Sequence, residues 1–160
     1  MKSRVQAGFT LVELIVVIVI LGILAAVAVP RFMGLESQAR IAAIKSMGGT
    51  MQSAAQMAHG VCMARGCANG AVLQIEGQAV TFRFGYPNNA SIARLLQSSE
   101  GFTANAAGNR LTKTGANTGN CWVQYNQPAV AGQPPFISYQ AGQITPATEQ
   151  AINNTLATQC

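Results

Sequence analysis

Five glutamates, one histidine, four cysteines and no aspartate make up the carboxylates, imidazoles and thiols of this 160-residue chain. Paired-carboxylate catalysis needs two acids brought together in unlike environments, and Glu13, Glu36, Glu76, Glu100 and Glu149 are scattered along the chain. A secreted hydrolase would have to use His59 as its base. His59 stands beside Gly60 at an expected helix end, with no aspartate to orient it. Neither Gly-x-Ser-x-Gly nor His-Glu-x-x-His occurs. A zinc site fares poorly, because Cys62 and Cys67 form a Cys-x4-Cys pair without a matching second pair. A carboxylate-rich calcium site is equally hard to build where Glu149 is the only acid after Cys121. The expectation is therefore a protein that is not an enzyme, with no catalytic, cofactor or metal residue assigned.

The remaining composition is lopsided. Apolar residues make up 49% and charged residues 9%, against about 25% charged in an average soluble protein. The formal charge of +5 is spread without a basic run, so it reflects few acids more than many bases. A nucleic-acid role would need the fold to gather Arg65, Arg83, Arg94, Arg110 and Lys113 on one face. The apolar excess is concentrated in Leu14–Val29, sixteen residues without a charge or a strong hydrogen-bonding side chain. Extended back to Phe9 it carries one charge, Glu13, and it is long enough to cross a bilayer as a helix. Lys2 and Arg4 flank it on the N-terminal side, which puts the N-terminus in the cytoplasm and everything after Pro30 outside.

Three readings compete for this segment: a secretory signal cut near Ala26-Val27-Ala28, a permanent anchor, or a basic leader cut before the apolar stretch. Glu13 separates them. A carboxylate in an apolar helix costs about 2–3 kcal/mol on insertion scales. A discarded signal gives no reason to carry it, whereas a helix that must pair with a neighbour does.

Gly8-Phe9-Thr10-Leu11-Val12-Glu13, followed by the apolar run and Pro30, resembles the start of type IV pilins and pseudopilins. The resemblance implies that a prepilin peptidase removes residues 1–8 by cutting between Gly8 and Phe9, and that Phe9 becomes the N-methylated first residue. It also implies a homopolymeric helical filament, stored first in the inner membrane and then assembled outside the cell, with an assembly ATPase and platform and an outer-membrane secretin as partners. Residues 9–30 are then the membrane and filament-core helix, with Phe9, Glu13 and Pro30 as its assembly residues. The new amine at Phe9 of one subunit can meet Glu13 of the next, and wrong offsets bury charges without partners. The rival role for Glu13 is to favour its own helix dipole.

The pilin resemblance implies an α+β fold: a long, kinked N-terminal helix whose C-terminal half packs on a small antiparallel β-sheet head. Pro30 removes a backbone donor, so a kink or a melted stretch is expected there. Over residues 31–60, Ile44, Met47, Met51, Ala54, Ala55 and Ala58 recur at helical spacing and Arg40, Lys45, Gln52 and Gln56 fall elsewhere, and His59-Gly60 is expected to end the helix. The head spans 61–160. Strands are expected at 71–76 and 79–84, a turn at 85–89, a short helix at 91–98, and a surface connection from Gly101 to Asn120. Two further strands are expected at 121–125 and 136–140, and a helix from Thr145 to about Leu156.

Four cysteines in an exported head favour disulfides, and three pairings are possible. The pilin resemblance, with its disulfide-bounded C-terminal region 121–160, goes with Cys121–Cys160 and hence Cys62–Cys67. The first would pin an otherwise fraying terminus at Cys160. Phe84-Gly85-Tyr86-Pro87 and the general layout are similar to mannose-sensitive haemagglutinin-type pilins, which adds attachment to motility among the roles expected. The near absence of charge after Cys121 suits tight subunit packing or a polar adhesive surface. A minor pilin or a type II secretion pseudopilin is the alternative, with DNA binding or uptake as a possible added role. Major pseudopilins usually carry a calcium site and lack the terminal disulfide.

Overall fold

A computed structural model describes residues 9–116, 121–140, 156 and 160. It divides into two compact units, residues 1–36 and 37–160. Helix α1 (Leu11–Arg65) contributes to both.

From Leu11 onward the described part of the first unit is helix. Its described large apolar side chains, Phe9 to Leu35, are 46–79% exposed. The backbone remains helical through Gly22 and Pro30, so of the two outcomes expected at Pro30 melting is not the one adopted. A segment this rich in Val and Ile has only middling helix propensity. In an apolar medium, however, the helix satisfies every backbone group internally, which is what holds such a segment helical.

In the second unit the helix is amphipathic as expected. Ile44, Met51, Ala54, Ala55, Ala58 and Cys62 are buried in one stripe. The helix does not stop at His59-Gly60 but continues to Arg65. The true stop is Gly66, with φ +65°. The Cys67 N–H donates to the Cys62 carbonyl at 3.1 Å and the Gly66 N–H to the Met63 carbonyl at 3.4 Å, the paired bonds of a Schellman end. The side chains that usually make an apolar contact in that motif are here Cys62 and Cys67, joined as a disulfide. The helix end is thus locked covalently, five residues beyond the glycine that the sequence suggested.

The head carries two antiparallel sheets instead of one. The first has the order β1 (Val72–Ile75), β2 (Gln78–Arg83), β3 (Tyr86–Pro87). Both of its connections are two-residue loops, Glu76-Gly77 and Phe84-Gly85, with positive φ at each residue, the backbone that lets strands reverse without splaying. Tyr86–Pro87, expected as turn, is therefore an edge strand, where proline's missing donor costs nothing. Expected helix 91–98 shrinks to a 3-10 turn, Ile92–Leu95.

The second sheet has the order β4 (Phe102–Ala104), β5 (Arg110–Lys113), β6 (Trp122–Asn126), β7 (Phe136–Tyr139). Strands β4 and β5 occupy the stretch expected as surface connection. Their hairpin is organised by Asn105, whose side-chain oxygen accepts the Arg110 N–H at 3.0 Å, and by Gly108 at φ +73°. The expected helix at 145–156 falls, apart from Leu156, outside the described residues.

The main core joins Ile44, Met51, Ala54 and Ala55 of α1 to Ile92, Leu111, Cys121, Val123, Tyr125, Ile137 and Leu156. A smaller one joins Ala58 and Cys62 to Val80 and Phe82. Tyr125 ties the two sheets, its hydroxyl donating to the Pro87 carbonyl at 2.8 Å. Burial pushes the pKa of that phenol up, so it stays a donor well into alkaline conditions.

The neighbouring glycines Gly48 and Gly49 have different roles. A Cβ on Gly48 would collide with the Tyr139 hydroxyl and ring, whereas one on Gly49 meets nothing within 4 Å. Gly49→Ala is expected to stabilise the chain by about 1 kcal/mol through helix propensity. Gly48→Ala is expected to destabilise it by about 1–3 kcal/mol through overpacking, partly relieved by adding Tyr139→Phe. Thermal unfolding of the detergent-solubilised chain separates the two; equal gains from both alanines would refute the close contact.

Candidate functional site

The residues singled out at the N-terminus begin, within the described chain, at Phe9. Gly8 and the rest of segment 1–8 lie outside the described residues. Phe9 is 79% exposed. The next residue opens the helix with reciprocal hydrogen bonds. Glu13 Oε2 accepts the Thr10 N–H at 2.9 Å and the Thr10 hydroxyl at 2.8 Å. The Glu13 N–H in turn donates to Thr10 Oγ1 at 3.2 Å. This is a capping box, which satisfies amide donors that a helix start otherwise leaves open.

The signature was present in the sequence as Thr-x-x-Glu before an apolar run, and reading Glu13 only against the helix dipole or a neighbouring subunit passes over Thr10. In the single chain the carboxylate is therefore held locally. It also sits in the first turn of the 55-residue helix α1, which is long and apolar enough by length and composition to cross a membrane.

Along the segment that follows, the large uncharged side chains point in all directions and are exposed. Such a surface is far more apolar than any that water tolerates in a monomer, and it has no hydrogen-bonding side chain with which to specify a small ligand. What it can do is lie in lipid or pack against other helices. Lipid and a helix bundle are both dry, so exchanging one for the other needs little net hydrophobic gain.

The head residues named from the sequence are placed as follows. Cys121 and Cys160 form a disulfide across a sequence separation of 39. The Cys160 carbonyl accepts from Arg40 at 3.2 Å, and its N–H donates to the Leu156 carbonyl at 2.8 Å. His59 stacks on Tyr86 with ring centroids 4.0 Å apart, and its Nδ1 contacts the Gly85 carbonyl at 2.8 Å. It thus braces the β2–β3 loop, a role that its place in mid-helix, not at a helix end, makes possible.

The basic side chains are largely engaged where they stand. Arg65 donates to the Gln74 carbonyl, Arg94 to Ala79 and Lys113 to Gly101, while Arg110 lies over the Trp122 ring.

Residues 3–29 match the family described as the prokaryotic N-terminal methylation motif. Among curated proteins, the chain is 53% identical over 45 residues to the type II secretion system core protein G of Pseudomonas aeruginosa, covering 28% of this chain and 32% of that one. It is 53% identical over 47 residues to the type IV narrow pilus major component PilA5 of Thermus thermophilus, covering 29% and 40%. The fimbrial protein EcpC of Eikenella corrodens is 34% identical over 83 residues, covering 50% and 54%. The matched stretch thus spans between about a third and about half of the length of these relatives. No solved structure matches the chain. The chain carries the prokaryotic N-terminal methylation motif and, with its long N-terminal helix and antiparallel sheets, an α+β fold of the type IV pilin kind.

Proposed function

We propose that the chain is a structural subunit of an extracellular type IV pilus. It is held in the inner membrane as a precursor, cut between Gly8 and Phe9 by a prepilin peptidase, methylated at Phe9 and polymerised through residues 9–30 by an assembly ATPase and platform, leaving through a secretin. The observation that carries this reading is the uncovered apolar helix headed by the Thr10–Glu13 capping box, beside a head that closes its own core. The relatives named as pilus and fimbrial components support it.

In the filament Glu13 exchanges part of its bonding with Thr10 for the amine of a neighbouring subunit's Phe9, which sets the register. Attachment and surface motility are the roles such a fibre serves.

A pseudopilin of type II secretion is the second reading, favoured by the similarity to core protein G. Against it stand the Cys121–Cys160 disulfide and the lack of any aspartate to build a calcium site.

The test is the intact mass, with N-terminal peptide mapping, of protein sheared from the producing cell's surface. The expected chain begins at methylated Phe9, has 152 residues once 1–8 are removed from 160, and is lighter by the four hydrogens of two disulfides. A chain beginning at Val29 would mean an ordinary signal peptide and no role for the apolar helix in a fibre.

A further inference from the structure

The loop between β6 and β7, residues 127–135, carries no charge and turns an apolar tip to solvent. Ala129, Val130 and Ala131 are all exposed, Val130 by 51%. The feet of the loop are fixed. Pro128 and Pro135 are buried. The Gln127 N–H donates to the Asn89 side-chain oxygen at 2.9 Å, and the Asn89 N–H to the Gln127 side-chain oxygen at 2.8 Å. The Asn126 carboxamide donates to the Ser138 hydroxyl at 2.9 Å. A lone exposed valine means little, but an apolar tip on a braced, proline-bounded loop has little freedom left to lose on docking.

The head also has an open, mostly apolar recess of about 600 Å³. Met57 and Val61 of α1, Ile75 of β1 and Leu95 wall it, above the buried Ala54 and Ala58. Glu76 is the one charged residue in its lining, and Met57 stands 70% exposed at its mouth.

Loop and recess lie on opposite flanks of α1. The loop runs into Pro135 and Phe136, which line a second recess with Gly48, Gly49 and Gln52 of the helix. The larger recess meets the helix at Thr50, Ser53, Met57 and Val61. At about 100° per residue the two sets centre about 140° apart around the helix axis. The buried stripe of Ile44, Met51, Ala55 and Cys62 separates them. No residue of the loop lines the larger recess of its own chain.

We propose that the tip of this loop, with Val130 at its centre, docks into the recess beside Met57 on the next copy of the chain. A knob and a recess on opposite flanks make a heterologous contact, the kind that a helical array of copies repeats at every step. The knob brings no charge, so it leaves no ion unpaired in the recess. The size of the contact points to a copy already held nearby. Three residues in a recess bury roughly a few hundred Å², short of the about 1,000 Å² that a free-standing partner needs. Helices joined in a filament supply the difference, as a local concentration on the order of millimolar. The proposal rests on the filament reading above and adds to it the contact by which one head follows another.

The test uses the full chain in the producing cell. Val130→Cys and Met57→Cys are made singly and together, and fibres sheared from the surface are separated on gels without reductant. The double substitution is expected to give a ladder of dimers, trimers and longer covalent chains. Co-expression of the two single substitutions is expected to give dimers only, and each single substitution by itself monomers. Val130→Lys and Met57→Lys, which each bring an unpaired charge to the contact, are expected to lower fibre yield about fivefold. The melting temperature of the detergent-solubilised chain stays unchanged in both. Val72→Lys, comparably exposed but outside both surfaces, is expected to leave the yield unchanged. Fibres of the double substitution that run as monomers would overturn the proposal. So would dimers from either single substitution alone, crosslinks to a different protein, or a fibre yield indifferent to Val130→Lys. Loss of the Val130→Lys precursor from the membrane fraction, with fibre per precursor unchanged, would assign the loop to lipid instead. Absence of fibre from the unsubstituted chain would remove the filament reading itself, and this contact with it.

Discussion

Glu13→Val is expected to leave the chain inserted in the membrane and to lower the yield of sheared fibre by at least about tenfold, whereas Thr10→Val is expected to lower it only a few-fold. The difference follows from what each substitution removes. In the single chain Glu13 is half of a capping box with Thr10, and losing a cap costs about 1 kcal/mol of helix stability. Thr10→Val removes that contribution and leaves the carboxylate in place. In the proposed assembly, Glu13→Val removes the cap and also the counter-charge for the methylated amine of a neighbouring Phe9. An amine left alone in a dry filament core costs about 3–5 kcal/mol.

Insertion is not impaired, because valine at this position is cheaper to place in lipid than a carboxylate by about 2–3 kcal/mol. Fibre yield by immunoblot, set against membrane-fraction yield by carbonate extraction, separates assembly from insertion. Wild-type fibre from Glu13→Val removes the charge from the mechanism. Equal losses from Thr10→Val and Glu13→Val would mean that Glu13 acts through its own helix start alone.

The N-terminal segment was legible because both of its signals are local: an uncharged run long enough for a membrane, and four residue types at fixed spacing around Gly8 and Glu13. The packed half of α1 was legible for the same reason, since Ile44, Met51, Ala55 and Ala58 announce their common face by period. What failed depended on pairings that one sequence does not display, most of them between residues distant in the chain. Gly60 and Gly66 are equally good helix terminators in isolation. The choice falls to Gly66 because Cys62 and Cys67 close the end behind it, while His59 is drawn onto Tyr86, far away in the chain.

Strands β4 and β5 were hidden in a stretch dominated by Gly, Asn, Thr and Ala. Among the described residues there only Leu111 is a buried aliphatic, and its pairing with Val123 across the sheet is invisible in one sequence. Thr10 is the exception: the Thr-x-x-Glu spacing was there to be read, and the charge on Glu13 drew attention away from it.

Cys160→Ser is expected to lower the melting temperature of the oxidised full chain by about 15 °C, and Cys62→Ser by about half as much. The Cys121–Cys160 bond closes a loop with a sequence separation of 39, for which the chain-entropy relation gives about 4 kcal/mol. The Cys62–Cys67 bond closes a separation of five, for which the same relation gives about 2 kcal/mol. Each kilocalorie moves the midpoint of a domain of this size by about 4 °C.

The two bonds also differ in what they hold. Cys62 and Cys67 clamp one helix end that already has two backbone bonds of its own, so its loss frays a turn. Cys121 is fully buried at the entry to β6 and belongs to the same core cluster as Tyr125 and Leu156. Its bond to Cys160 brings the Cys160 carbonyl within reach of Arg40 on the helix, so breaking it loosens Leu156 and Cys160, which pack with the main core. Calorimetry gives the midpoints. Limited proteolysis gives the location, with new cleavage after Cys121 in Cys160→Ser and around Gly66 in Cys62→Ser. Equal shifts from the two substitutions would show that loop length does not govern the head's stability. An unshifted Cys160→Ser would show that the core around Leu156 holds its end of the chain without the bond.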